Sequence, residues 1–534
     1  MRGRMIEPPT TKGGIPSSQH VPPNDPPRDP PGAPPGAPPQ GPSEPPEDPT
    51  GKPCIFVSPG EGHLAYAETE RVLSRTGKYF VSGGALVRLV DRGSSGPAIE
   101  QVHEQTLRTL LSAMIDYKRQ GRDGLWVRCD VPHGVIQALL HGQDRPYIQE
   151  ISGFARQPFF RPDGTVVDQS GYDPDTGTYG AFDASRFRLD DPSREHAEHS
   201  LEYLRHLLGE FEFASVADES AALGAMFTAA VRPSLSVAPA FIVTATGPGS
   251  GKSYLADVVT LFAGSDEPYR VSFPERADEA AKLLVTVLRE KPSAVVFDDM
   301  QGNWKSLGPL NRALSSPTIT ERLLGSNRTA TASTRVLFMG TGNNVEPERD
   351  ARRRVVCIAL APRSETPALR KFREDPIATL RKHRTRAVEC VLNIIGAYRA
   401  AGEPATDVRP IGTYEEWSRL CRQPLIWMGL PDPAQSLIDQ VSVDPDREAW
   451  GEFLEAWQEC FGGRAVTVRM LIAKAEQHPR LMEALEDLPV MDGKSVNRGR
   501  LGWLIRKRKG QRVDGLRIEE GDLSERNSWR VVGG

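Results

Sequence analysis

Residues 241–264 read FIVTATGPGSGKSYLADVVTLFAG, and this stretch decides the fold of the central part of the chain. The apolar run from Phe241 to Ala245 predicts a buried strand, and the amphipathic pattern that begins near Gly251 predicts a helix. A glycine-rich turn joins the two. Strand, turn and helix together are typical of a phosphate-binding loop, because backbone N–H groups and the helix N-terminus there face an anion.

The turn carries the residue types that a nucleoside triphosphate needs. Lys252 is expected to contact the β- and γ-phosphates, and the Ser253 hydroxyl is expected to ligate magnesium. Thr246 stands where the usual motif has its first glycine, and a glycine-rich loop with an incidental lysine is the alternative. The predicted nucleotide-binding residues are Gly247, Pro248, Gly249, Ser250, Gly251, Lys252 and Ser253.

A second apolar strand supplies carboxylates. Residues 292–300, PSAVVFDDM, end in Asp298 and Asp299, and Asp298 follows Lys252 by 46 residues. We expect Asp298 to hold the magnesium ion together with Ser253, and Asp299 to orient or deprotonate an attacking water, which makes the chain a hydrolase candidate. A buried strand followed by an Asp-rich turn is common, and that is the alternative here.

Two further apolar strands carry polar groups at their ends. Residues 335–347, RVLFMGTGNNVEP, place Asn343 at a strand's carboxyl end, where an amide can bond the attacking water or the γ-phosphate. Residues 350–362, DARRRVVCIALAP, place Arg352, Arg353 and Arg354 just before the next strand. A guanidinium supplied as a finger accelerates phosphoryl transfer. The alternative interpretation of Asn343 is an Asn-rich turn, and the alternative interpretation of the three arginines is a solvated charge run.

The whole chain divides into several predicted regions. With 534 residues, about three or four domains are expected at roughly 150 residues each. The fold class is multidomain α/β and α+β, with a P-loop ATPase core built on a parallel sheet, because apolar strands alternate with helices from 240 onward. The predicted regions are a disordered Pro-rich tail (1–52), a small α+β domain of short strands with one helix (53–190), a helical connector (191–235), the ATPase core (236–365), a helical lid (366–460) and a winged helix (461–534).

Composition excludes several classes of protein. The first 50 residues contain 17 prolines and 6 glycines without a collagen period, so we expect a solvated spacer there, with a polyproline ligand as the alternative. No stretch approaches the roughly 20 apolar residues of a membrane span. The opening residues lack the apolar segment of a secretory signal, so a cytoplasmic location is expected. Six scattered cysteines argue against a disulfide framework and a thiolate zinc site.

The order of four segments resembles a known family. ATGPGSGKS (245–253), VVFDDM (295–300), MGTGNN (339–344) and DARRRV (350–355) lie within about 110 residues. They resemble the compact AAA+ ATPases of superfamily 3 helicases, particularly the primase-helicase-like replication ATPases of phages, plasmids and integrated mobile elements. The resemblance extends through GYDPDTGTYG (171–180), LLGSNRTAT (323–331) and EEWSRLCRQPLIWMGLPDP (415–433), and covers about 450 residues.

The resemblance implies roles for particular residues. Lys252 and Ser253 correspond to Walker A, Asp298 and Asp299 to Walker B, Asn343 to the sensor, and Arg353 and Arg354 to the finger pair. It also implies ATP and Mg²⁺ as cofactors and a homo-oligomeric ring, usually a hexamer, in which the finger reaches the neighbour's ATP. An Asp-Asp pair stands where the family more often has Asp-Glu.

Two regions are candidates for DNA contacts. In residues 315–335, SSPTITERLLGSNRTATASTR, the resemblance implies a channel-facing loop or hairpin with Arg322 and Arg328, and a structural turn is the alternative. From 466 to the end, three helices and a two-stranded ribbon predict a winged helix, with protein docking as the alternative. Residues 495–534 hold ten basic and five acidic residues, a net of +5 in a chain of net −4. The predicted contacts there are Arg498, Arg500, Arg506, Lys507, Arg508 and Lys509.

The functional hypothesis is an ATP-hydrolysing helicase or translocase on single-stranded or forked DNA, acting in replication of a mobile genetic element. The alternative is an initiator or regulator in which ATP only switches assembly on DNA. Residues 53–190 contain no evident set of catalytic metal-binding carboxylates, so primer synthesis is assigned to a separate primase or polymerase partner. Trp503 and Trp529 have the spacing of core residues and are predicted to be buried.

Overall fold

The computed structural model describes residues 51–91, 97–142, 144–189, 191–264, 268–322, 329–364, 367–369, 373–442, 445–493, 495–521 and 528–533. The predicted disordered tail, apart from its last two residues, lies outside this range. Among the described helices, none combines the length and the apolar character that crossing a bilayer requires.

The N-terminal region, 54–180, consists of short strands and three helices. Its strands are β1 (Cys54–Val57), β2 (Tyr79–Ser82), β3 (Ala85–Asp91), β4 (Pro97–Gln101), β5 (Asp116–Gln120), β6 (Trp126–Cys129), β7 (Gly153–Ala155), β8 (Phe159–Phe160), β9 (Val166–Val167), β10 (Gly171–Asp173) and β11 (Thr178–Gly180). Its helices are α1 (Gly62–Arg75), α2 (Glu104–Met114) and α3 (His133–His141). The prediction of one helix was wrong, because α1 and α3 are short or polar and bury only a narrow stripe of residues against α2 and β5.

The segment GYDPDTGTYG forms a hairpin in which β10 and β11 pair antiparallel, Asp173 opposite Thr178. Asp173 accepts hydrogen bonds from Arg161 at 2.6 Å and from the Thr176 hydroxyl at 2.7 Å. These partners compensate the charge of the buried Asp173 carboxylate. Asp173 therefore stabilises the turn of this hairpin.

The central region is a five-stranded parallel sheet covered on both faces. Two helices precede the sheet, α4 (Arg194–Leu208) and α5 (Val216–Val231). The chain then forms β12 (Ala240–Ala245), α6 (Lys252–Phe262), β13 (Tyr269–Val271), α7 (Ala277–Arg289), β14 (Ala294–Met300), α8 (Gly308–Ala313), the antiparallel pair β15 (Thr318–Arg322) and β16 (Thr329–Ser333), β17 (Leu337–Asn343) and β18 (Val355–Leu360). The sheet order is β13-β14-β17-β12-β18, and every adjacent pair is parallel.

Burial on both faces explains the continuous apolar strands that the sequence displays. Helices α4, α5 and α6 pack on one face in a large core, which also receives Ala387 to Ile395 of α9 (Pro376–Ala400). Helices α7 and α8 cover the other face through residues such as Leu284 and Leu310. The predicted connector and much of the predicted lid therefore share one core with the sheet.

The remaining helices complete the lid and the C-terminal region. They are α10 (Glu415–Trp417), α11 (Gln423–Trp427), α12 (Gln435–Ser442), α13 (Pro445–Phe461), α14 (Val468–Ala475), α15 (Pro479–Glu486) and α16 (Arg498–Lys507). The C-terminal strands are β19 (Val466–Thr467), β20 (Met491–Asp492), β21 (Ser495–Val496), β22 (Leu516–Glu520) and β23 (Ser528–Gly533). Strands β22 and β23 form the predicted ribbon, and β19 adds a third strand to it.

Helix α13 packs away from the lid. Its Trp450, Phe453 and Trp457 are buried in one core with Leu481, Ile505 and other residues of the C-terminal helices and strands. The predicted domain boundaries remain predictions, but packing groups α13 with the residues that follow it.

A buried ion pair lies within the lid segment 415–433. Arg422 is fully buried and donates to both carboxylate oxygens of Asp432 at 2.8 and 2.5 Å, and to the Arg409 carbonyl oxygen at 2.8 Å. Removing one partner leaves an uncompensated charge in the interior, which costs far more than breaking an exposed pair.

We expect Asp432→Asn to lower the free energy of unfolding by about 3–5 kcal/mol, the cost of a buried charge that loses its partner. The matched control is Glu455→Gln, which removes an exposed carboxylate 3.2 Å from Arg480 and should cost about 1 kcal/mol or less. Urea unfolding followed by circular dichroism measures both. Equal losses of unfolding free energy in the two variants would contradict the assignment of Arg422 and Asp432 as a buried ion pair.

Candidate nucleotide site and nucleic-acid surfaces

The loop between β12 and α6 has the backbone of a phosphate cradle. Gly249 and Gly251 adopt left-handed conformations with φ of 73° and 90°, which residues with a Cβ rarely tolerate. Thr246 is not among the residues with positive φ, so this position does not require the glycine of the usual motif. Pro248 and the other predicted loop residues lie at the carboxyl edge of the sheet, directly before the first turn of α6.

The Lys252 ammonium lies within the loop that it is predicted to serve. Its Nζ donates to the Gly247 carbonyl oxygen at 2.9 Å, the Ser250 hydroxyl at 2.9 Å and Oδ1 of Asn343 at 2.7 Å. Asn343 ends β17 directly beside Ala245, the last residue of β12. Partial burial lowers the pKa of Lys252, and the nearby charge of Asp299 opposes this shift. Two residues predicted from separate motifs, Lys252 and Asn343, are therefore in contact.

Asp298 is the centre of a hydrogen-bond network. Its Oδ1 accepts from the Ser253 hydroxyl at 2.8 Å and from the Thr341 hydroxyl at 2.6 Å. Partial burial by itself would raise the pKa of Asp298, but these hydrogen bonds and the charge of Arg270 outweigh burial, and the pKa lies below its usual value. The carboxylate is thus kept ionised next to the phosphate loop.

Sequence reasoning missed two members of this network, Thr341 and Arg270. Thr341 lies two residues before Asn343 on β17, and its hydroxyl also accepts the Asp299 backbone N–H at 3.0 Å. Arg270, on the edge strand β13, pairs with both Asp298 and Asp257. In the sequence, Thr341 is a hydroxyl residue in an otherwise apolar strand, and Arg270 is an arginine within a short strand. These features were the signals that could have identified the two residues.

Asp299 turns away from the network. Its backbone is left-handed, with φ of 52°, and its side chain is exposed at the carboxyl edge of the sheet. A non-glycine residue held in this conformation carries strain that the surrounding structure must support. The turn separates the two aspartates, with Asp298 facing Ser253 and Asp299 facing solvent near Lys252.

The predicted arginines lie at the opposite edge of the sheet. The Arg354 carbonyl oxygen accepts the N–H of Ala240, the first residue of β12. Since β12 has six residues at about 3.3 Å each, about 20 Å separates this turn from the phosphate loop. Arg354 is largely buried and bonds the Asp350 carbonyl oxygen at 2.6 Å and the Ser315 hydroxyl at 3.1 Å, whereas Arg353 is 60% exposed and pairs with Asp350 at 2.5 Å.

The site's oxygen ligands fit a magnesium ion. Mg²⁺ takes one or two protein oxygens and keeps several waters, and the Ser253 hydroxyl and Asp298 carboxylate lie 2.8 Å apart beside the loop. Across the residues that the structure describes, no three His, Cys, Asp or Glu side chains cluster closely enough to hold a metal. A site of one hydroxyl and one carboxylate next to phosphates suits Mg²⁺ better than a dedicated protein cage.

The β15–β16 hairpin occupies the predicted channel-loop segment. Arg328 and the side chain of Arg322 lie outside the described residues, so their predicted DNA contacts remain predictions. Arg335, after the hairpin, donates to the Pro233 carbonyl oxygen at 2.9 Å, and burial lowers its pKa.

The C-terminal basic residues gather on and after α16. Arg498 and Arg506 are exposed, while Arg500 donates to the Met491 carbonyl oxygen at 2.8 Å. The Lys507 ammonium lies 4.8 Å from the centre of the Trp503 ring, and Lys509 pairs with Glu520 at 2.7 Å.

The prediction that Trp503 is buried was wrong. Trp529 is 4% exposed, but Trp503 is 58% exposed, because Leu501, Leu504 and Ile505 already fill the buried face of α16. Arg500, Trp503 and Lys507 follow i, i+3, i+7 spacing, so they share the outer face of the helix.

No protein-family model and no curated protein matches the chain. Solved structures that match parts of this structure are the apo A form of the NrS-1 C-terminal region (10% identity, TM-score 0.36, covering 88% of this chain and 99% of that one), the active helicase Cch of SCCmec type IV (12%, 0.29, 77% and 88%) and JCV helicase (14%, 0.18, 48% and 70%). At these TM-scores, the geometry of the chain's own residues is the basis for any functional conclusion.

Proposed function

We propose that the chain is an ATP-hydrolysing DNA helicase or translocase. The observation that carries the proposal is the meeting of Lys252, Ser253, Asp298 and Asn343 at the carboxyl edge of a parallel sheet, next to a loop with two left-handed glycines. Three separate motifs supply these residues in the order expected of a phosphoryl-transfer site. The resemblance of that order to superfamily 3 ATPases supports the assignment to replication of a mobile genetic element.

In this mechanism the loop N–H groups and Lys252 bind the β- and γ-phosphates of ATP. Asn343, already 2.7 Å from Nζ of Lys252, is placed to hydrogen-bond the γ-phosphate or the attacking water. Asp299 is the proposed base, because its exposed carboxylate lies at the same edge while Asp298 is occupied by Ser253 and Thr341. A magnesium ion held by Ser253 and Asp298 would neutralise charge that develops on the phosphates.

The position of the turn that carries Arg352, Arg353 and Arg354 supports catalysis between copies of the chain. Arg353 lies at the opposite end of β12 from its own loop, and this separation supports a role at the ATP of a second copy. A contact that joins two different edges is heterologous, and repetition of such a contact gives a closed ring when the rotation between copies closes and an open filament when it does not. We propose a ring for this reason, with the hexamer of the resembling family as its expected size.

The C-terminal region is proposed to be the winged helix that holds DNA. Helix α16 presents Arg500, Trp503 and Lys507 on one exposed face, and cations interleaved with an aromatic ring suit both phosphate contact and base stacking. The alternative, an ATP-switched initiator, uses the same residues without coupling hydrolysis to movement.

ATP hydrolysis is expected to rise strongly with single-stranded DNA and to lose this stimulation at high salt, because phosphate contacts release counterions. Steady-state ATPase assays with and without DNA measure this, with Lys252→Ala as the blank. An ATPase rate that does not change when DNA is added would favour the initiator. An ATPase rate that is unchanged in Lys252→Ala would refute the proposed nucleotide site.

Thr341→Val is expected to lower kcat about tenfold, a loss of about 1.4 kcal/mol, which is the order of a hydrogen bond to a charged group. KM for ATP should change little, because the hydroxyl orients Asp298 and does not bind nucleotide. The control is Thr334→Val, which removes a buried hydroxyl from the loop before the same strand, where its partner is the Ser316 carbonyl oxygen. Equal rates in the two variants would contradict the role of Thr341.

Neutralising Arg500 and Lys507 together (Arg500→Gln with Lys507→Gln) should reduce the salt dependence of single-stranded DNA binding. If each side chain contacts one phosphate, the slope of log K against log salt should fall in magnitude by about 1.4. Fluorescence anisotropy of a labelled oligonucleotide gives the slope. Arg205→Gln with Arg276→Gln removes the same charge elsewhere, and a similar fall in that control would argue against a specific surface.

A further inference from the structure

One guanidinium group bridges two carboxylates beside the candidate nucleotide site. Arg270, on the edge strand β13, donates from Nη1 to Oδ2 of Asp298 and from Nη2 to Oδ1 of Asp257. Asp257 lies on α6 four residues after Ser253, so these two side chains share one face of that helix. The fork of Arg270 therefore reaches from a proposed magnesium ligand to a second carboxylate close by.

The two carboxylate oxygens of Asp298 have different partners. Oδ1 accepts from the Ser253 and Thr341 hydroxyls at 2.8 and 2.6 Å, and these two hydrogen bonds use both of its lone pairs. Oδ2 accepts from Arg270. The hydroxyls come from two different elements, α6 and β17, and hold the carboxylate without the arginine. Arg270 therefore occupies the oxygen that remains for a cation or for the water bound to it.

A guanidinium group and a magnesium ion repel each other when both lie at this oxygen. Arginine keeps its positive charge in proteins, and Mg²⁺ adds two further positive charges at the same carboxylate. Like charges at such short range repel strongly where water is partly excluded. The side chains of Arg270 and Asp298 are 36% and 28% exposed, so solvent screens this repulsion only in part.

Asp257 offers the guanidinium group a second position. Its side chain is 30% exposed and already accepts one N–H of Arg270. Burial raises the pKa of Asp257, and the charges of Arg270 and of Arg381, on α9, oppose this rise, whereas the charge of Asp298 adds to it. Two carboxylates that repel each other thus share one arginine, and either of them is an acceptor for it.

We propose that Arg270 is a positioning residue whose guanidinium group neutralises Asp298 until the site takes Mg²⁺ and then transfers fully to Asp257. The inference rests on the proposed function and deepens it, because it adds a residue pair, Arg270 and Asp257, that sets the magnesium requirement of nucleotide binding. The transfer moves Nη1 from one carboxylate to another, so the charge-assisted hydrogen bonds are kept. Neither the arginine nor Asp257 is then left as an unpaired, partly buried charge.

The test measures the Mg²⁺ concentration at which a fluorescent, non-hydrolysable ATP analogue binds to half of the full chain. Arg270→Gln should lower this concentration about fivefold, because the cation then meets no competing charge while the two hydroxyls still hold Asp298. Asp257→Asn should raise it about fivefold, because Arg270 then loses its second anionic acceptor. A merely structural role of the two ion pairs would shift both variants in the same direction.

The double variant Arg270→Gln with Asp257→Asn separates action through Arg270 from direct attraction between Asp257 and the cation. If Asp257 acts through Arg270, the double variant should require the same Mg²⁺ concentration as Arg270→Gln, within about twofold. A larger rise in the double variant would overturn the transfer to Asp257. An Arg270→Gln protein whose Mg²⁺ requirement equals or exceeds that of the wild type would overturn the proposal as a whole.

The matched controls are Arg276→Gln and Asp278→Asn, which remove the same residue types from an exposed pair 3.3 Å apart. Each should leave the Mg²⁺ requirement within about twofold of the wild type, because exposed pairs contribute little. Circular dichroism verifies folding. If Arg270→Gln does not fold, Asp257→Asn decides, and an unchanged Mg²⁺ requirement in that variant would overturn the proposal.

Failure of the proposed function would give a different result. Binding of the analogue that is the same in Lys252→Ala as in the wild type at every Mg²⁺ concentration would refute the proposed nucleotide site, and the role of Arg270 with it. Binding that requires Lys252 but has the same Mg²⁺ requirement in all Arg270 and Asp257 variants would refute only the role of Arg270. The two failures are therefore distinguishable in one set of titrations.

Discussion

Parallel pairing of β12 with β17 and β18 is the constraint on which the rest of the structure depends. Because neighbouring strands run in the same direction, their carboxyl ends meet at one edge and their amino ends at the other. The phosphate loop and Asn343 therefore share one edge, and the arginine turn before β18 is confined to the opposite one. A single strand of six residues separates the two halves of the proposed chemistry.

Within the carboxyl edge, Asp298 organises the site. Ser253, Thr341 and Arg270 come from α6, β17 and β13, and each contacts its carboxylate. Such a network fixes the orientation of the carboxylate before any ligand arrives, which reduces the reorganisation that a reaction requires. The left-handed backbone at Asp299 then sends the second carboxylate in a different direction. Two adjacent aspartates thereby acquire different surroundings.

Two cores connect this edge to the rest of the chain. Helices α4, α5 and α9 pack with the sheet in one core, and α13 packs with the C-terminal helices in another. Arg353 of the turn before β18 and Arg447 and Arg508 of the C-terminal region line one space of about 330 Å³ where these parts meet, and the Arg508 guanidinium lies 5.0 Å from the centre of the Trp450 ring.

The sequence by itself determined the strands, the loop and the polar groups at the strand ends, because apolar runs, glycines and charges at strand boundaries are local features. The convergence of Lys252, Ser253, Asp298 and Asn343 followed from the rule that parallel strands share an edge. Local patterns also predicted the C-terminal helices and ribbon, yet they misjudged Trp503, because the buried face of α16 was already complete without it. Only the tertiary structure decided the partners Thr341 and Arg270, the grouping of α13 with the C-terminal core, and the meeting of Arg353, Arg447 and Arg508. Those contacts depend on how distant elements pack, and no periodicity within a segment encodes that packing.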